Sequence, residues 1–189
     1  NADGGVGNHA HKDDLSVIVF AHGRYFLVDP LYGNYNWGEE QQWLSSSIAH
    51  NTVTINNKNQ TSGEKEGSFN CWETNDSYDY IIAEDANLQD ANHKREVLFV
   101  RPNFWIVNDF LTPKNDDVNT YVQAWHTLPE ANITMDEATK AVKTGFDSVN
   151  MQIIPLNNAS YNRSELVEGL YSSSAGSITE TKYVEYEQT

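Results

Sequence analysis

The sequence is short of cysteine, of methionine and of positive charge. Its 189 residues hold one cysteine, Cys71, and two methionines, and 12 lysines and arginines stand against 27 aspartates and glutamates. A lone cysteine excludes an intrachain disulfide and leaves the redox compartment undecided; Cys71 reads as packing filler beside Phe69 and Trp72. The net charge of −15, with no basic stripe anywhere, excludes the electrostatic footprint of a nucleic-acid binder. No apolar run reaches eighteen residues, which excludes a spanning helix. The chain also lacks an initiator methionine and opens inside a motif, so it reads as a piece of something longer, cut at both ends.

What is present favours strands. Aromatic residues make up 12% of the chain and lie among Thr- and Val-rich runs. A chain of this length can bury one sizeable core. Strand-like segments recur at Leu15–Ala21, Arg24–Asp29, Thr52–Ile55, Tyr78–Ala83, Arg95–Arg101, Phe104–Phe110, Thr120–Thr127, Ser148–Ile154 and Lys182–Tyr186, with turn signals between them. The first, apolar nearly throughout, reads as buried on both faces. Ala131–Val142 has some helical character, and Leu31–Ser47 reads as a long loop rich in Tyr and Trp. The expectation is one all-β domain over residues 1–189, an antiparallel β-sandwich.

Chemistry concentrates in the first fifty residues. His9-Ala10-His11-Lys12-Asp13, then Val28-Asp29-Pro30, then His50-Asn51-Thr52-Val53 place imidazoles and carboxylates beside strand-like sequence. Such groups are the usual nitrogen and oxygen ligands of zinc, and three of them with a fourth position open suit a functional site. In an extended segment His9 and His11 point to one face. Hairpin counting from a turn at His22-Gly23 sets Asp29 opposite about Ser16, several residues short of His11, so the chain before Leu15 must bend back. His22 reads as a solvated turn residue, and His93 and His126 as core-facing or hydrogen-bonded. Tyr32, Tyr35, Trp37 and Trp43 either pack their loop or stack on sugar rings.

The words around these residues carry a resemblance. His9-Ala10-His11-Lys12-Asp13-Asp14-Leu15-Ser16, Gly23-Arg24-Tyr25-Phe26-Leu27-Val28-Asp29-Pro30 and Ala49-His50-Asn51-Thr52-Val53-Thr54-Ile55 resemble the C-terminal β-domain of heparinase II/III-like polysaccharide lyases. A looser match follows at His93–Phe99 and Trp105–Asp109. The resemblance implies a zinc ion on His11, Asp29 and His50, with His9 lining the catalytic cleft as a catalytic residue. It implies β-elimination on a uronate-containing polysaccharide and a secreted or periplasmic parent protein. It also implies an N-terminal helical toroid of the same chain, absent from these residues, that supplies a Tyr acid/base; the fragment alone would be inactive. Tyr35, Trp37 and Trp43 are then candidate substrate-binding residues.

One stretch departs from the family. Between the aspartate and the last histidine many members carry arginines, whereas Trp37–Ser47 holds two acids and no base. With the charge of −15, this counts against dense sulfated polymers such as heparin and favours a weakly charged one. Screening confines the repulsion to roughly 8 Å at physiological salt, so a local cleft built from Lys12, Arg24, Lys94, Arg95 or Arg101 could still work. The main rival reading is a non-catalytic carbohydrate-binding or structural β-sandwich. A cupin-type metal enzyme also starts from a His-x-His pair, but would place a Glu where Leu15 and Ser16 stand.

Overall fold

The computed structural model describes residues 11–31, 33, 38–61, 68–156 and 158–189. Strands β1 (Val19–Ala21) and β2 (Arg24–Leu27) form a hairpin, followed by helix α1 (Glu39–Leu44) and strand β3 (Val53–Ile55). Then come four strands in succession, β4 (Ser68–Thr74), β5 (Tyr78–Asp85), β6 (Ala91–Val100) and β7 (Phe104–Pro113), paired in that order as one sheet. A second sheet joins β3 to β8 (Tyr121–His126), β13 (Ser177–Gln188) and β12 (Arg163–Ser174), in the order β12-β13-β8-β3. Short strands β9 (Thr134–Met135), β10 (Val142–Lys143) and β11 (Gln152–Ile153) make a small third sheet. Every pairing is antiparallel, as the all-β expectation required.

The period of two along each strand decides what faces inward. On β6, Ala91, His93 and Arg95 are buried while Asn92 is exposed; across the register, His93 lies opposite Leu111 and Arg95 opposite Asp109 on β7. Val19, Phe26, Leu27, Trp125, Val142, Val184 and Tyr186 form the main core, with Trp105 and Val107 of β7 packed on it. Each such aliphatic or aromatic side chain contributes roughly 1.5–3 kcal/mol when fully buried.

Several segments differ from the sequence expectation. The strand begins at Val19 rather than Leu15, and Ile18 and Phe20 are 56% and 58% exposed instead of buried on both faces. A two-stranded hairpin has only one face to bury, so Val19 goes inward and Phe20 meets Tyr25 edge-on. The Tyr/Trp-rich loop contains α1, whose Gln41 and Leu44, three apart, are its buried face, and whose Glu39 and Glu40 suit the positive end of the helix dipole. Ala131–Val142 is no helix: β9 and β10 pair across a turn closed by Asp136, whose carboxylate accepts from the Thr139 N–H at 2.7 Å. Cys71 is half-buried, but Phe69 and Trp72 do not pack beside it in a core; they stand 76% and 68% exposed.

Candidate metal centre

The bend that hairpin counting demanded is present. Leu27 pairs with Val19, and two residues further on Asp29 meets Ser16, whose hydroxyl donates to Asp29 Oδ1 at 2.7 Å. Immediately before Ser16 the chain reverses: the Ser16 N–H donates to the Asp13 carbonyl at 2.9 Å, and Leu15 adopts φ 62. A left-handed leucine is uncommon and is held here by its surroundings. The reversal brings His11 and Asp13 back over His50.

His50 follows a single 3-10 turn (Ser47–Ala49) and is fully buried. One ligand atom each from His11, Asp13 and His50 lie within 4.8 Å of one another, and the His11 and His50 rings stand 5.1 Å apart. His50 Nδ1 is 3.6 Å from Asp29 Oδ1. A tetrahedral zinc with bonds of about 2.0–2.2 Å sets its donors roughly 3.3–3.6 Å apart, so the second pair already has that spacing. The first three, within 4.8 Å of one another, are set somewhat wider.

Both ring nitrogens of His50 are buried and have no hydrogen-bond partner among the described residues. A buried polar atom left so costs about 1–3 kcal/mol, and a ligated cation is the partner that an imidazole between carboxylates would accept. The donor set therefore fits a metal ion of the nitrogen/oxygen class.

Asp29 is oriented from three sides. Besides Ser16, the Asn51 amide donates to Asp29 Oδ1 at 3.2 Å and to the Val28 carbonyl at 2.9 Å. Burial alone would raise the Asp29 carboxyl, but His50, the Ser16 hydroxyl and the Asn51 N–H together hold it below the usual carboxylate value. The Asn51 carbonyl of the side chain accepts from the His126 N–H at 2.6 Å, which pins the end of β8 to the same residue. His126 is itself buried, with Nε2 donating to the Ile48 carbonyl at 2.8 Å, as a hydrogen-bonded core histidine should. His93 likewise bonds Asp109 at 2.7 Å, and His22 is an exposed turn residue with φ 50.

Of the cations expected to line a cleft, most are engaged. Arg95 and Arg101 pair with Asp109 and Asp79, Lys94 with Glu96, and Arg24 lies 4.2 Å over the Phe146 ring. Lys12, next to His11 in the chain, forms none of the ion pairs seen among the described residues.

His9, Tyr35 and Trp37 lie outside the described residues. Trp43 is half-buried, edge-on to His126 and Tyr183 at centroid distances of 6.2 and 6.1 Å, and closes on Gly169. Asp13 was not among the ligands expected, although its position two residues after His11 carried the same alternation that linked His9 to His11.

An all-β sandwich with a histidine–carboxylate cluster at the chain reversal that precedes its first hairpin is the arrangement on which the comparisons bear. The family model described as "Heparinase II/III-like, C-terminal" matches residues 2–188, and the chain belongs to that family. A heparin-sulfate lyase of Bacteroides stercoris is 24% identical over 146 residues, which is 74% of this chain and 21% of that protein. The crystal structure of the heparan sulfate lyase HepC of Pedobacter heparinus superposes with a TM-score of 0.83 at 24% identity, over 95% of this chain and 28% of that one. A heparinase III structure gives 0.80 at 17% identity, with the same coverages of 95% and 28%. The chain thus spans about a quarter of the length of these relatives.

Proposed function

We propose that this chain is the metal-bearing β-domain of a lyase that cleaves uronate-containing polysaccharide by β-elimination. The observation that carries the reading is the buried His50, whose ring nitrogens make no hydrogen bond among the described residues, beside His11, Asp13 and Asp29 in a domain of lyase-family fold. Zinc is the metal that this donor set suits, held by His11 and His50 with Asp29 as the carboxylate ligand, and with Asp13 in reach as a further one. Bound there, the ion would fix the cleft wall and orient the residues around it.

Elimination has three requirements. The C6 carboxylate must be neutralised so that C5 gives up its proton; a base takes that proton; and the electron pair forms the C4–C5 double bond as the C4–O bond breaks. The departing oxygen then takes a proton from an acid. A positioned acid and base contribute about 10²–10⁴-fold each, and neutralisation acts through preorganised charge. His9, two residues before His11 in the sequence, is assigned the role of neutraliser or proton-transfer assistant, with Lys12 adding positive charge. The principal acid/base is assigned to a helical toroid in a longer parent chain, and Tyr35, Trp37 and Trp43 to sugar contacts. A secreted or periplasmic setting suits a polymer substrate, and no helix among the described residues is long and apolar enough to cross a membrane.

Heparan sulfate is the first polymer to assay, since the two named relatives carry heparin-sulfate and heparan sulfate in their names. The charge of −15 predicts a preference for its less sulfated stretches. The test is the release of unsaturated uronate ends by the longer parent protein and by its His9→Ala variant. Product from the first and at least about 100-fold less from the second is the expected result; equal rates would remove His9 from the chemistry. A parent that binds the polymer and never cleaves it would favour a carbohydrate-binding module.

A further inference from the structure

We propose that Arg95, on the sheet opposite the candidate ligands, is the positioning residue of the metal centre. This rests on the metal reading above and deepens it. Two of the three ligand-bearing segments, that of His11 and Asp13 and that of His50, end on one guanidinium nitrogen. Arg95 Nη1 donates to the Leu15 carbonyl at 2.7 Å and to the Asn51 carbonyl at 2.5 Å. Leu15 closes the turn that carries His11 and Asp13, and Asn51 is the residue after His50. The remaining donors are fixed in the other direction: Nε reaches Asp109 Oδ1 at 2.7 Å and Nη2 reaches Asp109 Oδ2 at 2.9 Å.

Asp109 is in turn locked. His93 Nε2 meets Oδ1 at 2.7 Å and the Gln123 amide donates to Oδ2 at 2.6 Å. Arg95 and Asp109 have side chains only 2% and 8% exposed, so neither can swing away into water. The guanidinium plane is what this geometry uses: two forks, one for the carboxylate and one for a pair of carbonyls. A lysine is a single point of charge and cannot satisfy both.

The Asp13–Leu15 turn has further straps, and they converge on the same outcome. The Asp14 N–H donates to Gln60 Oε1 at 2.8 Å, the Asp14 carbonyl accepts from Thr52 Oγ1 at 2.9 Å, and the Asp14 carboxylate accepts from Asn87 Nδ2 at 2.9 Å. The Thr52 bond, like that from the Asn51 N–H to Ser16 Oγ at 3.1 Å, also ties the turn to the His50 segment. Arg95 adds a buried, charged bridge in which one nitrogen donates to a carbonyl of each segment, and so fixes the separation of their ligand atoms together with these bonds. Partners behind metal ligands commonly change metal affinity by about 10–100-fold when removed.

The experiment is zinc titration by calorimetry of the protein, of Arg95→Lys and Asp109→Asn, and of Val142→Ala as a core control. Val142 is 1% exposed and belongs to the main core, and it is neither a candidate ligand nor a hydrogen-bond partner of one. Arg95→Lys should bind zinc about 10–100-fold more weakly, and Asp109→Asn, which keeps the shape and loosens the guanidinium, should shift in the same direction. Val142→Ala should lose thermal stability and keep its zinc affinity. If Arg95→Lys does not fold, Asp109→Asn decides the matter by the same readout. Unchanged zinc affinity in a folded arginine or aspartate variant overturns the proposal and leaves the metal reading intact. Equal weakening in Val142→Ala also overturns it, because general loosening would then suffice. No zinc bound by the unsubstituted protein overturns the metal reading itself, and the proposal with it.

Discussion

The side-chain amide of Asn51 donates to Asp29 Oδ1 at 3.2 Å, tying the residue that follows one candidate ligand to another candidate ligand. The same amide group reaches the Val28 carbonyl and receives the His126 N–H, so three segments of chain meet on one buried side chain.

Asn51→Ala would strand a buried carbonyl and a buried N–H at once. Each unsatisfied group costs about 1–3 kcal/mol, so at least about 2 kcal/mol of stability should be lost in urea denaturation. A loss below about 0.5 kcal/mol, the usual limit for surface changes, would mean that water replaces the amide and that the junction is not structural.

Asp109→Ala should be worse. Burial pushes its carboxyl up, but the Arg95 charge and hydrogen bonds, with His93, hold it far below the ordinary carboxylate range. Removing it leaves Arg95 buried and uncompensated, at a cost of about 3–5 kcal/mol. The exposed pair Lys140–Glu137 is the contrast, since its carboxylate is 87% exposed; Glu137→Gln should change the urea midpoint little.

His126 makes a pH prediction. Burial pushes the ring down to about 4, against its hydrogen bond to the Ile48 carbonyl. Between pH 6.5, the ordinary value, and about 4, the unfolded chain binds a proton that the folded chain refuses. This contribution is therefore complete above pH 6.5 and is lost as pH falls, on the order of 3 kcal/mol in all. Denaturation across that window, with chelator present so that metal release adds nothing, should show the slope in the parent and a shallower one in His126→Gln. Equal slopes would mean the ring is more hydrated than its burial implies.

Gly169 gives a packing prediction. A Cβ there would meet Tyr183 Cδ1 at 2.8 Å and Trp43 Cη2 and Cζ2 at 3.0 Å. Gly169→Ala should cost about 1–3 kcal/mol, read as a lowered melting temperature. An unchanged melting temperature would show Trp43 free to move off the sheet, which is the freedom that a sugar-stacking role needs.

The strands were legible where runs rich in Val, Ile, Tyr and Phe stood between turn signals. Tyr78–Ala83, Arg95–Val100 and Phe104–Phe110 fall on β5, β6 and β7, although only β7 alternates in exposure along its length. Ser148–Ile154 yielded only the two residues of β11, as a short flanking strand has little pattern to read. At the site, hairpin counting placed Asp29 against Ser16 and required a bend before it, but periodicity cannot say that Leu15 would take the left-handed conformation. Arg95 was legible only as one of several cations. Its carbonyl partners are 80 and 44 residues away on loop segments, and contacts so distant in the chain leave no local signature.

Metal content of the purified protein, by elemental analysis beside His50→Ala, tests the central claim most directly. About one zinc per chain is expected in the protein and almost none in the variant, because the buried nitrogens of His50 make no hydrogen bond among the described residues. No metal in either protein, with both folded, would contradict it and leave a β-sandwich that kept the family fold without the site.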